Sequence, residues 1–323
     1  MAYAPIEPLD LSPRMLANSA SWTTLIDNDA EVYAMYSPPV VQSQVAVSVT
    51  SGSYVEVLEW IVPQNEDDLT VRINVRWKVS GGGTADILAE MTDDAYVTVD
   101  DNTGSPTTTT SATETSATID LVSSNSTGSA TPRFVRLKLL TSAGTATITS
   151  VECYVLAATA ATGTLAGGFK STHTGWYSAD EPVPSEVANR LINNPKRIAE
   201  DRPVTLVSVL DDVSATVSRA AYTTASTDGA EVLRFLMPPD PGGGPRAYRV
   251  AFRVERHANV TAHAAVVYIG PHQFVTTATG WTQETRVMGG DMFEALKCSV
   301  VLKVVTGTDD VYLRALQITR EPT

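Results

Sequence analysis

The sequence predicts an all-β protein of two tandem antiparallel β-sandwich domains of the jelly-roll type, each preceded by a short helix-containing leading segment. Three observations support this. The composition is rich in Thr, Ser, Val and Ala, and only 18% of residues are charged. Many short runs are apolar at every second residue, which places one face of a strand in a core. The same series of runs also occurs twice in a chain of 323 residues, long enough for two domains.

The first evidence of duplication is a pair of matching blocks. Two pairs of runs correspond at an offset of 175 residues: EVLEWIVP (56–63) with EVLRFLMP (231–238), and INVRWKV (73–79) with YRVAFRV (248–254). In this alignment Trp60 matches Phe235 and Trp77 matches Phe252. A large aromatic replaced by another conserves core volume, so we expect all four side chains to be buried.

The later strands match at an offset of 165. Residues 135–141 (VRLKLLT) correspond to residues 300–306 (VVLKVVT). The last strands of the two copies also match, and they share an irregularity. In both copies a step of three residues interrupts the alternation: Ile148, Val151 and Cys153 against Leu313, Leu316 and Ile318. Such a step predicts a β-bulge in each copy. The alternation also predicts that the Cys153 thiol is buried.

The fall of the offset from 175 to 165 places ten additional residues in the first copy. Residues 102–118 (NTGSPTTTTSATETSAT) are polar and have no apolar period, so the sequence predicts that they form an exposed loop.

The domain boundaries follow from the repeat and from a stretch of small residues. The first domain is predicted to span 1–157 and the second 175–323, with 158–174 (mostly Ala, Gly and Thr) as a linker. In the second leading segment, residues 185–192 can form a short helix with Ser185 as its N-cap.

Charge and composition limit the function. The net charge is −13, and residues 1–165 carry 7 basic against 19 acidic side chains, whereas residues 166–323 carry 16 against 17. A protein with a large net negative charge binds nucleic acid poorly, because the phosphates repel it. No apolar run in the sequence is long enough to span a membrane. The N-terminus has no basic and apolar signal, so we expect synthesis in the cytoplasm without secretion.

The sequence contains no recognisable catalytic or metal-binding motif. No nucleophile elbow, zinc-protease helix or phosphate-binding loop occurs. His257 and His263 are six residues apart with no Cys nearby, which does not make a zinc site. Five Asp–Asp pairs lie between the strand runs, where we expect solvated turns, and calcium binding by these pairs remains open. We therefore predict no enzyme activity, no cofactor and no metal.

The order of features in the second copy carries a first resemblance. The runs that begin at 231, 248 and 260, the GWTQ of 280–283 and the closing runs at 300 and 311 resemble the carbohydrate-binding-module and galactose-binding-like sandwiches. Such a resemblance implies a surface glycan as ligand. Trp281 is then the candidate sugar platform, while Trp176 is a candidate anchor between the second domain and its leading segment.

A second resemblance lies in residues 180–203 (DEPVPSEVANRLINNPKRIAEDRP), which look like leading segments of virion structural proteins from tailed bacteriophages. It implies a capsid decoration (cement) protein or head fibre that binds other virion proteins of the capsid or tail and further copies of itself. The alternative is an adhesion protein of the tail surface that binds carbohydrate or a receptor.

The charge difference between the halves predicts which domain makes the contacts. We expect the near-neutral second domain and its leading segment to contact neighbouring chains, through four basic side chains: Arg190, Lys196, Arg197 and Arg202. The alternative is that the carboxylates of the first domain dock on a basic capsid surface.

Overall fold

A computed structural model describes residues 39–62, 69–92, 106–123, 133–156, 204–213, 221–237, 246–288 and 295–321. These residues form β-strands joined by turns and include no helix. The two leading segments, the predicted helix at 185–192 and the linker 158–174 lie outside the described residues.

The strands fall into two groups along the chain. The first domain contains β1 (Pro39–Val49), β2 (Val55–Val62), β3 (Leu69–Ser80), β4 (Ala85–Thr92), β5 (Thr107–Thr109), β6 (Thr115–Ser123), β7 (Arg133–Thr141) and β8 (Thr145–Leu156). The second contains β9 (Val204–Leu210), β10 (Thr223–Thr224), β11 (Ala230–Met237), β12 (Arg246–Arg256), β13 (Val260–Ile269), β14 (His272–Thr276), β15 (Gly280–Met288), β16 (Leu296–Gly307) and β17 (Val311–Arg320).

Each domain is a sandwich of two antiparallel sheets, as the sequence predicts. In the first domain, sheet I has the order β1-β8-β3-β6 and sheet II the order β2-β7-β4-β5. In the second, sheet III has the order β9-β17-β12-β15, with β10 also paired to β17, and sheet IV the order β11-β16-β13-β14. Apart from the two-residue β10, the second domain repeats the strand order of the first. Sheet III therefore corresponds to sheet I, and sheet IV to sheet II.

The predicted β-bulge occurs in both domains at equivalent places. Between β3 and β8 the pairing skips Thr149, because Arg76 faces Ser150 and Trp77 faces Ile148. Between β12 and β17 it skips Arg314 in the same way. A bulge shared by both copies gives a fixed point for aligning the two domains residue by residue.

That fixed point corrects the match of Trp77 with Phe252. Phe252 faces Leu316, and Val75 faces the corresponding Val151, so Phe252 is equivalent to Val75. The predicted match is thus wrong by two residues, although Trp77 and Phe252 are 1% and 0% exposed, as expected. A shift of two residues leaves every side chain on the same face of the strand, so alternation alone cannot detect it.

A second bulge aligns the other two sheets. The pairing of β2 with β7 skips Val57, and that of β11 with β16 skips Val232, which keeps Trp60 equivalent to Phe235. Trp60 is fully buried as expected, whereas Phe235 is half-buried, so the expectation of burial is wrong for Phe235. Because Trp60 faces Val135 and Phe235 faces Cys298, the predicted match of 135–141 with 300–306 is also displaced by two residues.

The turn after these strands supports the corrected alignment. Gly144, in the turn before β8, and Gly307, the last residue of β16, are equivalent at the corrected offset of 163 residues and have φ of 72° and 136°. A Cβ on Gly144 would lie 1.9 Å from the carbonyl oxygen of Ser80, and one on Gly307 would lie 2.4 Å from that of Asn259. Both turns thus require glycine for its positive φ and for space.

The prediction of one exposed loop at 102–118 is wrong in large part. Residues 107–109 form β5, which pairs with β4, and residues 115–118 begin β6, which pairs with β3. Threonine suits an edge strand because its branched Cβ favours extended backbone and the ladder uses only main-chain groups. The additional residues of the first copy lie mainly in 93–106 between β4 and β5, where the second domain has only Gly270 and Pro271.

Each sandwich encloses its own apolar core. Trp60, Trp77, Ile87 and Leu137 are among the fully buried side chains of the first core, and Tyr248, Phe252 and Phe274 are among those of the second. Cys153 is buried as predicted, and burial raises the pKa of its thiol to about 12. Among the described residues no helix has the length and apolarity to cross a membrane.

Candidate functional site

The two domains pack through their outer sheet faces. The outer face of sheet II, on β2 and β7, lies against the outer face of sheet III, on β12, β15 and β17. For this reason β2 and β17 are buried on both sides along nearly their whole length. A strand that is exposed on one face in a lone sandwich is here covered on both.

The centre of this interface is apolar. Ile61 and Phe134 of the first domain pack with Ala251 and Trp281 of the second. The rings of Phe134 and Trp281 lie 6.2 Å apart between centroids, inclined at 58°. Tilted aromatic pairs at this distance are favourable beyond the area they bury. The contact excludes water from the polar groups around it.

Main-chain groups of β2 bind the second domain directly. The side-chain amide of Gln317 accepts a hydrogen bond from the N–H of Ile61 (2.7 Å) and donates one to its carbonyl oxygen (2.9 Å). The N–H of Val213 donates to the carbonyl oxygen of Val57, the bulged residue, at 3.1 Å. Because β2 is an edge strand, these main-chain groups have no strand partner on that side, and the second domain supplies one.

Charged side chains surround the apolar centre. Glu59, only 2% exposed, forms an ion pair with Arg253 and accepts a hydrogen bond from the indole N–H of Trp281. Arg253 also contacts Glu56 at 3.2 Å and Glu255 at 2.7 Å. A buried carboxylate needs such partners, because desolvating an unpaired charge is costly.

The network continues on both sides of Glu59. Arg136 and Lys138 contact Glu90 at 2.5 Å and 2.7 Å, and Arg314 contacts Glu255 at 3.0 Å. Burial alone would raise the pKa of Glu90, but hydrogen bonds from Lys138 and Arg136 outweigh it and hold the pKa below its usual value. Glu90 is therefore ionised at neutral pH, and the carboxylates and cations of the network balance in charge.

Trp281 is the only predicted ligand contact that the structure describes. Its ring lies in the interface between the domains rather than on an open surface, and its N–H is bound to Glu59. The predicted sugar platform is thus an interface residue. The other predicted contacts lie outside the described residues: Trp176, Arg190, Lys196, Arg197 and Arg202.

The described residues contain no group of three metal-ligating side chains. His263 is buried, and its Nε2 lies 3.2 Å from the carbonyl oxygen of Ala278. Asp211 and Asp212 are buried as well, which corrects the prediction of a solvated turn for that pair. Burial raises the pKa of Asp211, although the N–H groups of Asp212 and Ala221 donate to its carboxylate.

In the described part of the chain, the outer face of sheet IV carries exposed side chains on β11, β14 and β16, and we call it the sheet IV face. A row of three valines crosses it, because Val266 pairs with Val275 on one side and Val301 on the other. Val275 is 56% exposed, and Leu236, at the end of β11, is 65% exposed. Basic groups lie among these apolar side chains: Arg234, Lys297 and Lys303.

A shallow groove of about 480 Å³ runs beside Leu236 on this face. Its lining combines apolar, basic and acidic side chains: Glu231, Arg234, Phe235, Leu236, Lys297, Cys298 and Ser299. A second groove, of about 320 Å³, lies on the other side of Leu236, between β1, β9 and β11. Leu236 thus projects between two depressions, as an anchoring side chain of an interface does.

Sequence reasoning missed Glu59, Arg253, Gln317 and Leu236. The first three occupy the polar phase of their strands, which is typical of residues that face solvent. One signal was available for β17, where Tyr312 and Ala315 fall on the phase opposite to its core residues. Apolar residues on both phases indicate a strand that is covered on both faces.

Comparisons with known proteins yield only distant likenesses. No protein-family model and no curated protein matches the chain. The tandem CBM22-1–CBM22-2 domains of Paenibacillus barcinonensis Xyn10C share 10% identity at a TM-score of 0.27, covering 89% of this chain and 98% of theirs. The VP2 subviral particle of infectious bursal disease virus shares 7% at 0.26, covering 89% and 73%. The T=1 Penaeus vannamei nodavirus shares 8% at 0.20, covering 88% and 98%.

Proposed function

We propose that this chain is a non-enzymatic virion structural protein of the capsid-decoration or head-fibre type, which binds the particle through the sheet IV face of its second domain. In this arrangement the acidic first domain lies away from the particle surface. The partners are other virion proteins, and the assembled location is the virion.

The observation that carries the proposal is the exposed apolar surface of the sheet IV face. Val275, Leu236 and Val305 are 56%, 65% and 53% exposed on one sheet. Val275 lies beside Val266, which lies beside Val301, so these valines form one apolar row, and exposed apolar surface rimmed by polar groups is typical of protein–protein contact sites. The basic groups beside it suit a carboxylate-bearing partner surface. A protein with this surface and no catalytic motif is suited to assembly.

The charge of the two halves supports the orientation. Residues 1–165 carry 7 basic and 19 acidic side chains, against 16 and 17 in residues 166–323. Copies bound side by side on one particle repel each other least when their acidic domains are far apart or surrounded by counterions. The near-neutral second domain is therefore the better one to hold at the particle surface.

A sugar-binding adhesion protein is the weaker candidate on these grounds. Sandwiches that bind sugars need an accessible aromatic ring, and the ring predicted for this purpose, Trp281, is held between the domains by Phe134 and Glu59. Besides the half-buried Tyr268, the sheet IV face offers mainly aliphatic and basic side chains, which suit a protein surface better than a sugar ring.

The test uses particles of the virus that encodes the chain, produced without it and then incubated with purified protein. We expect the wild-type chain to bind, and cryo-electron microscopy to place the second domain nearest the capsid or tail. Leu236→Asp should lose at least about tenfold in affinity, because it puts a charge into the apolar contact.

The matched control is Val287→Asp, since Val287 is 64% exposed but lies on sheet III. This variant should bind particles like the wild type. Particles that never carry the chain, or a first domain that buries more area than the second, would overturn the proposal. Binding to a glycan array with no binding to particles would favour the adhesion function.

A further inference from the structure

The sheet IV face is equivalent to the face of sheet II that already makes an interface within this chain. The bulges at Val57 and Val232 align β2 with β11, so that Ile61 corresponds to Leu236 and Glu59 to Arg234. Ile61 is 4% exposed because the second domain covers it, whereas Leu236 is 65% exposed. The second domain thus retains the anchoring side chain of the interface without an occupant from the described residues.

One charge at the centre of the contact is reversed between the two equivalent faces, whereas Glu231, the equivalent of Glu56, stays acidic and forms an ion pair with Arg234 at 2.7 Å. Where sheet II has Glu59 and Phe134, the sheet IV face has Arg234 and Lys297, as the strand pairing shows. Where sheet II has Glu90, the sheet IV face has Tyr268, because Glu90 faces Arg136 and Tyr268 faces the equivalent Ser299. The position that binds Arg253 in the first domain is therefore occupied by a cation in the second, which suits a carboxylate of a partner.

The outer face of sheet I is equivalent to the face of sheet III that binds sheet II, but its side chains differ. The bulges at Thr149 and Arg314 make Arg76 equivalent to Arg253. The neighbouring strand then places Ser116 where Trp281 stands, since Arg76 faces Ser116 and Arg253 faces Trp281. If a second copy repeated the internal contact, Arg76 of that copy would face Arg234. Two like charges would meet where the internal contact has an ion pair, and the aromatic ring would be missing.

We propose that the sheet IV face is a docking surface for a protein with an acidic, apolar-centred face, and that its reversed charge keeps it from binding sheet I of another copy of this chain. The partner must place an apolar group against Leu236 and carboxylates against Arg234 and Lys297. The inference deepens the proposed function by stating the chemistry of the partner, and it is tested without particles, so the two can fail separately.

The probe is the full chain with Arg76→Glu and Ser116→Trp, which gives sheet I the acidic and aromatic groups that the sheet IV face should bind. We expect the wild-type chain to stay monomeric in sedimentation velocity. The probe should form head-to-tail oligomers, with an association constant at least about tenfold higher than that of the wild type.

Two further variants locate the contact. In the probe background, Leu236→Asp should abolish the association, and Arg234→Glu should weaken it because two carboxylates then face each other. Val287→Asp, equally exposed on sheet III, should leave it unchanged. If the double variant does not fold, as judged by circular dichroism and thermal unfolding, Arg76→Glu alone carries the test with a smaller expected increase.

Three results would overturn the proposal. A folded probe that remains monomeric means that the sheet IV face does not dock an acidic surface. Wild-type oligomers that Leu236→Asp dissolves mean that the occupant is a second copy. Association of the probe that Leu236→Asp leaves intact means that another surface is responsible.

Discussion

The amide of Gln317 binds both the N–H and the carbonyl oxygen of Ile61, at 2.7 Å and 2.9 Å, across the interface between the two domains. One side chain of the second domain thus takes the place of a neighbouring strand for one residue of the first. The pair lies next to the apolar contact of Phe134 with Trp281, in a region that is closed to solvent. Four predictions follow from this interface and from the cores on either side of it.

The first prediction concerns Gln317. Gln317→Leu keeps the volume but removes both hydrogen bonds, which leaves the peptide groups of Ile61 buried without a partner. We expect the free energy of unfolding to fall by about 1–3 kcal/mol, measured by urea denaturation. Gln273→Leu, on the exposed side of β14, should change it by less than about 0.5 kcal/mol. Equal effects of the two substitutions would contradict the role of Gln317.

The second prediction concerns Glu59. Glu59→Gln preserves the shape of the side chain but removes the negative charge. That charge pairs with Arg253, and the carboxylate also accepts a hydrogen bond from the indole N–H of Trp281. We expect a loss of about 1–3 kcal/mol in unfolding free energy, because Arg253 keeps only two of its three carboxylate partners and Trp281 loses an ionised hydrogen-bond acceptor. Trp281 fluorescence should also respond, since the indole N–H loses an ionised acceptor. As a control, Glu114→Gln removes an exposed partner of Arg76 and should cost less than about 0.5 kcal/mol.

The third prediction is a dependence of stability on acid. Hydrogen bonds from Lys138 and Arg136 overcome the burial of Glu90 and lower its pKa from the usual 4.5. A carboxyl whose folded-state pKa is depressed contributes stability above its unfolded pKa. That contribution disappears as the pH falls from about 4.5 through the folded-state value. The unfolding free energy of the Glu90→Gln variant should therefore fall less steeply at acidic pH than that of the wild type. Equal slopes of unfolding free energy against pH in the two proteins would contradict this role of Glu90.

The fourth prediction concerns the two thiols. Burial raises the pKa of Cys153 to about 12 and also raises that of Cys298, and the thiolate is the reactive form. In the folded protein at pH 8 we expect neither thiol to react with Ellman's reagent within the time that a free thiol needs. Both should react at once after denaturation in guanidinium chloride. Rapid reaction of one thiol in the native protein would show that one of the cores opens locally.

Much of the fold could be predicted from the alternation of apolar residues, because that alternation states which side chains face a core. It placed Trp60, Trp77, Phe252 and Cys153 inside, and the shared step of three residues located the bulges at Thr149 and Arg314. It failed for residues 107–109, where polar threonines form an edge strand whose pairing depends on main-chain groups and leaves no apolar pattern.

The all-β class, the duplication and the burial of the core follow from the amino-acid pattern alone, since each depends on a period of two along one strand. How the strands match residue by residue required the folded structure, because a shift of two residues preserves that pattern. The packing of the two domains also decides that Glu59 and Gln317 are buried, that Arg253 is half-buried and that Leu236 is exposed. These four lie on outer sheet faces, and whether such a face meets solvent or a second domain depends on the packing of whole sheets, which no local pattern records.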